Sequence, residues 1–79
     1  MNTITAVENM VRESGIVAPR LVVERENDNT FCVWSGDQNE DSDFDVEVNE
    51  ALLNFFREAD TLVEWTNDER QAFWVTFTE

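Results

Sequence analysis

Apolar residues near the start of the chain recur at steps of three and four: Val7, Met10 and Val11. This spacing places them on one face of an amphipathic helix. Thr5 and Glu8 have the spacing of a capping box, and Gly15 is of the residue type that adopts the left-handed conformation at which helices end. The pattern therefore predicts a short first helix that ends near Ser14.

Two runs rich in β-branched and aromatic residues come next. The first, LVVERE, covers residues 21–26, and the second, TFCVWS, covers residues 30–35. The three residues between them, Asn-Asp-Asn, are typical of turns. Together the two runs predict a β-hairpin.

Acidic residues alternate strictly with other residues in segment 41–48. The acidic residues are Asp41, Asp43, Asp45 and Glu47, and those between them are Ser42, Phe44, Val46 and Val48. A period of two is typical of a half-buried strand, so the segment predicts a third strand with its carboxylates on one face.

A second amphipathic helix is predicted directly after this strand. Asn49 is a favourable N-cap residue. The apolar positions that follow at steps of three and four are Leu52, Phe55, Phe56, Ala59, Leu62 and Val63. Their spacing predicts a helix with one apolar face.

The last segment of the chain fits two patterns. Thr66 and Glu69 have capping-box spacing ahead of Phe73, Trp74 and Phe77, which favours a helix, whereas residues 71–79 also alternate as a strand would. We therefore expect one α+β domain over residues 1–79. It has an N-terminal helix, a three-stranded antiparallel β-meander and one or two C-terminal helices, with a C-terminal hairpin as the alternative.

Charge is the strongest compositional signal. The 79 residues include 18 acidic and 5 basic side chains, all of the latter Arg, for a net charge of −13, while 42% hydrophobic residues indicate a folded protein. This balance disfavours direct binding to nucleic acid or to an anionic membrane and favours a basic protein surface as partner. Whether the protein forms a homodimer stays open.

Sequence features that would indicate a particular compartment are few. No apolar stretch is long enough to span a membrane, and the first residues lack the pattern of a signal peptide. The lone Cys32 lies in an apolar run and cannot form an intramolecular disulfide. These features predict a cytoplasmic protein.

Catalytic and metal-binding patterns are weak. The chain has no His, and no Ser or Cys has an evident base partner, so we expect no enzyme, no catalytic residues and no cofactor. Asp41, Asp43 and Asp45 resemble the start of a calcium loop. Framed from Asn39, however, the position that needs a sharp glycine turn is Phe44. We therefore expect no specific metal site.

The acidic residues suggest a partner-binding surface that imitates a phosphate backbone. Residues two apart on a strand are about 6.6 Å apart, whereas one DNA strand has a charge every 3.4 Å or so along its axis. One acidic row is thus too sparse, and a second row is required. The first row is Asp41, Asp43, Asp45 and Glu47, and the second is Glu24, Glu26 and Asp28 beside Asp37 and Glu40. Trp34, just before the acidic stretch, is the best candidate for an exposed aromatic anchor.

In size, charge and element order, the chain resembles the small acidic inhibitors that phages make. The nearest likeness is to anti-CRISPR proteins that imitate DNA, followed by anti-restriction mimics and uracil-glycosylase inhibitor. The resemblance implies competitive occlusion of the DNA-binding groove of a Cas effector or another nucleic-acid-binding protein, in the cytoplasm of the host cell. The acidic residues named above come from the spacing argument and not from the family.

Two other classes of function also fit the composition. Excess acid without Lys is expected of a domain adapted to a high-salt cytoplasm. An antitoxin or regulatory subunit that neutralises a basic protein would share the same electrostatics.

Overall fold

A computed structural model describes residues 3–36 and 45–78, which fold in the order α-β-β-α-β-β. The helices and strands are α1 Ile4–Ser14, β1 Val22–Arg25, β2 Thr30–Trp34, α2 Val46–Glu58, β3 Thr61–Trp65 and β4 Phe73–Phe77. The α+β class predicted from the sequence is confirmed, but the element order differs from the prediction.

The first helix ends where the sequence predicts. Gly15 has φ 81 and its N–H donates to the carbonyl of Arg12, so the left-handed C-cap after Ser14 is confirmed. The helix begins two residues earlier than the capping-box spacing indicates. Its N-cap is Thr3, whose hydroxyl accepts a hydrogen bond from the N–H of Ala6 at 3.0 Å.

The four strands form one antiparallel sheet in the order β1-β2-β4-β3. The predicted β1–β2 hairpin is confirmed, with Val23 opposite Val33. The prediction of a three-stranded meander is wrong. On its other side, β2 pairs with β4, and Phe31 lies opposite Val75. β3 therefore lies at one edge of the sheet and runs parallel to β2, which α2 connects to it.

The predicted third strand is wrong in the part of it that the structure describes. Val46 to Val48 form the first turn of α2, and residues 41–44 lie outside the described residues. The segment fits both the period of a strand and that of a helix, and an N-cap favours the helix. The Asp45 carboxylate accepts a hydrogen bond from the N–H of Val48. The two carboxylates of Asp45 and Glu47 therefore do not form a row on a strand.

Asn49, predicted as the N-cap of α2, is instead a fully buried residue of its first turn. Its side-chain oxygen accepts a hydrogen bond from the N–H of Ser35 at 2.8 Å. Its amide nitrogen donates to the carbonyls of Arg70 and Gln71. One buried side chain thus connects the end of β2, the start of α2 and the β3–β4 turn.

The C-terminal helix is wrong, and the alternative hairpin is confirmed. Helix α2 ends at Glu58, and Leu62 and Val63, which were assigned to it, lie in β3. The break falls at Asp60, whose φ of 63 is left-handed. The residues with capping-box spacing form a turn, in which the side chain of Asn67 accepts a hydrogen bond from the N–H of Glu69.

Both helices pack on the same face of the sheet. The core contains Val7, Val11, Val23, Phe31, Val33, Leu52, Leu53, Phe56, Phe73 and Val75. The strand residues in this list alternate along their strands, so the other face of the sheet has no helix against it among the described residues. Neither of the helices in the described ranges is long and apolar enough to cross a membrane.

Candidate partner-binding surface

The face of the sheet opposite the helices is the candidate site, and it is called the outer face below. Its residues are Val22, Glu24, Glu26, Thr30, Cys32, Trp34, Leu62, Glu64, Trp74 and Thr76. The strand register places Glu24 beside Cys32, Cys32 beside Trp74 and Trp74 beside Glu64. One row across all four strands therefore has a carboxylate at each end and an indole between them.

The outer face is apolar and closed at one end. Trp34 is 7% exposed and packs in a cluster with Cys32, Ala72 and Val22. The prediction that Trp34 is an exposed aromatic anchor is therefore wrong. Its neighbours on the adjacent strands cover the indole, and only the strand order shows which residues those are.

The other end of the outer face presents apolar groups to solvent. Trp74 is 36% exposed and Leu62 is 64% exposed. Trp is one of the residue types enriched at the positions that contribute most to binding in protein interfaces. Trp74, rather than Trp34, is therefore the candidate aromatic anchor of the outer face.

An open hollow of about 430 Å³ lies at this end. The residues around it that bear on binding are Glu26, Thr30, Leu62, Glu64, Trp74 and Thr76. The hydroxyls of Thr30 and Thr76 are hydrogen bonded to each other at 3.0 Å. The hollow thus combines two carboxylates, an indole and an aliphatic side chain.

Four of the five arginines of the described residues lie away from this hollow, and the fifth, Arg25, donates a hydrogen bond to the carbonyl of Asn27 at its rim. Arg12 and Arg57 are on the helices, and Arg20 precedes β1, at the opposite end of that strand from Glu26. The guanidinium of Arg25 lies 5.0 Å from the centre of the Phe31 ring, on the helix side of the sheet. Arg70, in the β3–β4 turn, pairs with Glu50 of α2. No basic residue among those described lines the hollow.

Cys32 lies in the middle of the outer face and is buried. Burial and, to a smaller extent, the nearby carboxylates of Glu26 and Glu24 together raise the pKa of the Cys32 thiol from 9.0 to about 11. The thiol is therefore protonated at neutral pH and suited to packing rather than to nucleophilic chemistry.

The structure brings together only part of the predicted acidic site. Glu24 and Glu26 share the outer face, whereas Asp28 is in the hairpin turn, where its carbonyl accepts a hydrogen bond from Arg25. Asp45 caps α2, and Glu47 is exposed in the first turn of that helix. The remaining predicted residues, Asp37, Glu40, Asp41 and Asp43, lie outside the described residues.

Two residues of the outer face, Glu64 and Trp74, were not among the site residues predicted from the sequence. Both would have been found by treating residues 61–65 and 73–77 as paired strands, because each residue then falls on the outer face. The signal was weak, since apolar residues occur on both faces of β3.

No group of three potential metal-ligating His, Cys, Asp or Glu side chains occurs within residues 3–36 and 45–78. No protein-family model, curated protein or solved structure matches the chain. The outer face itself is therefore the basis for a proposal about function.

Proposed function

We propose that this protein is an inhibitor that binds the basic nucleic-acid-binding site of another protein, such as a host defence nuclease, and excludes nucleic acid by competition. The single observation that supports this most is the outer face, where Glu24 and Glu26 lie at one margin, Glu64 lies at the other, and the exposed Trp74 lies between the two margins. A surface of this kind is complementary to Arg and Lys side chains that otherwise hold phosphates.

Carboxylates at two separate margins of the outer face meet the requirement for more than one acidic row. Glu24 and Glu26 are two residues apart on extended chain, so their backbones are about 6.6 Å apart. Glu64 is three strands away from Glu24, which is roughly 14 Å at the usual strand spacing. The acidic residues therefore occupy two margins of the outer face, with Trp74 between them.

The net charge of −13 gives the proposal a kinetic basis. Opposite net charges accelerate the encounter of two proteins, and this acceleration falls as the ionic strength rises. Trp74 and Leu62 then supply apolar contact that exposed charge pairs alone do not provide, because such pairs are worth only about 0.2–1 kcal/mol each.

Competition for a labelled DNA target on a Cas effector tests the proposal. The protein should displace the DNA in a concentration-dependent way. The triple variant Glu24→Gln, Glu26→Gln, Glu64→Gln should weaken that inhibition on the order of tenfold, since it removes three charge pairs of the size given above. DNA binding that persists at a saturating concentration of the protein contradicts this target.

A variant with the same charge change provides the control. Glu13, Glu58 and Glu69 are exposed residues of α1, α2 and the β3–β4 turn, away from the hollow. Changing all three to Gln alters the net charge by the same amount, so inhibition should change by less than about threefold through long-range charge alone. Equal losses in the two triple variants would show that the outer face is not the binding site.

A further inference from the structure

We infer that the hollow between Glu26 and Glu64 is a binding site for an arginine side chain of the partner. This inference rests on the proposed function, because it specifies which group of a basic partner the outer face binds. It is carried by three features of the hollow: two carboxylates, an exposed indole and an open volume of about 430 Å³.

The carboxylates of the hollow have no partner within the described residues. Neither Glu26 nor Glu64 has a hydrogen bond or ion pair to a side chain there, in contrast to Glu50, which pairs with Arg70. Both side chains are exposed to solvent. A cation that enters the hollow can therefore pair with one of them without breaking a contact inside the protein.

Trp74 determines which cation fits best. Trp74 is on β4, which lies between β2 and β3, and the strand register places it beside both Cys32 and Glu64. A planar guanidinium stacks on an indole and can form two parallel hydrogen bonds to a carboxylate, whereas an ammonium is a more strongly hydrated point charge. The hollow should therefore prefer arginine to lysine.

The protein already contains one contact of this type. The guanidinium of Arg25 lies over the Phe31 ring and donates a hydrogen bond to the carbonyl of Asp28 at 3.2 Å. The guanidinium of an arginine in the hollow would lie over the Trp74 indole in the same way. A carboxylate would accept its hydrogen bonds in place of the carbonyl. Leu62 would pack against the aliphatic part of the same side chain.

Titration calorimetry with two blocked peptides tests the inference. One peptide alternates glycine with five arginines, and the other has lysine at the same five positions. The arginine peptide should bind the protein at least threefold more tightly. Equal affinities for the two peptides would overturn the site, because charge alone does not distinguish them.

Variants then locate the binding. Glu26→Gln with Glu64→Gln should weaken binding of the arginine peptide about tenfold, whereas Glu13→Gln with Glu58→Gln, the same change in charge, should weaken it less than twofold. Trp74→Ala should remove the preference for arginine, and Trp74→Phe should keep part of it. A preference that survives Trp74→Ala in a variant with unchanged circular dichroism would overturn the role of the indole.

The peptide experiment and the competition experiment fail independently. If the arginine preference is absent but the protein still displaces DNA, the proposed function stands and the arginine site does not. If the peptide binds as described but no DNA is displaced, the site stands and the proposed competition with DNA does not.

Discussion

The side chain of Asn49 accepts a hydrogen bond from the backbone N–H of Ser35 at 2.8 Å, and both residues are fully buried. The same amide donates to two carbonyls of the β3–β4 turn. The junction of β2, α2 and that turn therefore depends on one polar side chain.

Replacement of Asn49 by Ala should lower the free energy of unfolding by about 3 kcal/mol, because it leaves a buried N–H and two carbonyls without partners. Urea denaturation followed by circular dichroism measures the change. Asn54→Ala is the control, because Asn54 is exposed on the same helix and its side chain accepts a hydrogen bond from the exposed Arg57. Its expected cost is under 0.5 kcal/mol or so. Similar losses in both variants would contradict a structural role specific to Asn49.

Asp45 should contribute to stability as a cap rather than as a member of an acidic row. Asp45→Ala should cost about 1 kcal/mol, because the N–H of Val48 loses its acceptor. Asp45→Asn keeps an acceptor at the same position and should recover most of that loss. Thermal unfolding of the two variants compares them, and an Asn variant as unstable as the Ala variant would contradict the cap.

Cys32 should make stability depend on pH in the alkaline range. The folded-state pKa is raised to about 11 from 9.0, so the folded protein holds the proton more tightly and this contribution is present below pH 9. As the pH rises towards 11 the contribution is lost, by about 2 kcal/mol at pH 10.5. The sequence contains no Lys, Tyr or His, so Cys32 is the only side chain expected to titrate in this interval.

Urea midpoints at pH 8 and pH 10.5 measure this effect, with Cys32→Ala as the control that should lose most of it. A thiol reagent at pH 8 gives a second measurement. It should react with the folded protein at least 100-fold more slowly than with the urea-unfolded chain, because both burial and the raised pKa reduce the thiolate. Equal rates would show that the thiol is accessible.

Salt should have opposite effects on folding and on binding. A net charge of −13 opposes compaction, so added salt should raise the melting temperature modestly while the protein stays folded at low salt. The same salt should weaken the affinity for a basic partner. A domain adapted to high salt would instead unfold as salt is removed, so a melting curve at low ionic strength separates the two cases.

The elements that were predicted correctly depend on short-range signals. Helix α1 has a regular apolar stripe and a glycine stop, and the β1–β2 hairpin has two β-branched runs around a turn. The start of α2 was predicted wrongly because Val46 and Val48 fit both a strand and a helix. Val48 lies four residues before Leu52, so the helical stripe was already present, and the cap at Asp45 favours it.

The candidate site was predicted less well than the fold, for a different reason. Glu24 and Glu26 were identified because they belong to a local hairpin. Glu64 and Trp74 were not, because their position beside each other depends on pairing between β3 and β4. Leu62 and Val63 were predicted to be helical, and residues 71–79 fitted both a helix and a strand. Burial of Trp34 and exposure of Trp74 likewise follow from strand order, which no local pattern specifies.

Strand β4 follows the other three strands of the sheet in the chain, yet it is an interior strand. Until it emerges from the ribosome, β2 has an unpaired edge, and the Thr30–Thr76 pair requires residues 46 positions apart to meet. The β1–β2 hairpin and α2 are thus complete earlier than the sheet that holds them together. Because Trp74 belongs to β4, the outer face is incomplete until β4 has paired with β2 and β3.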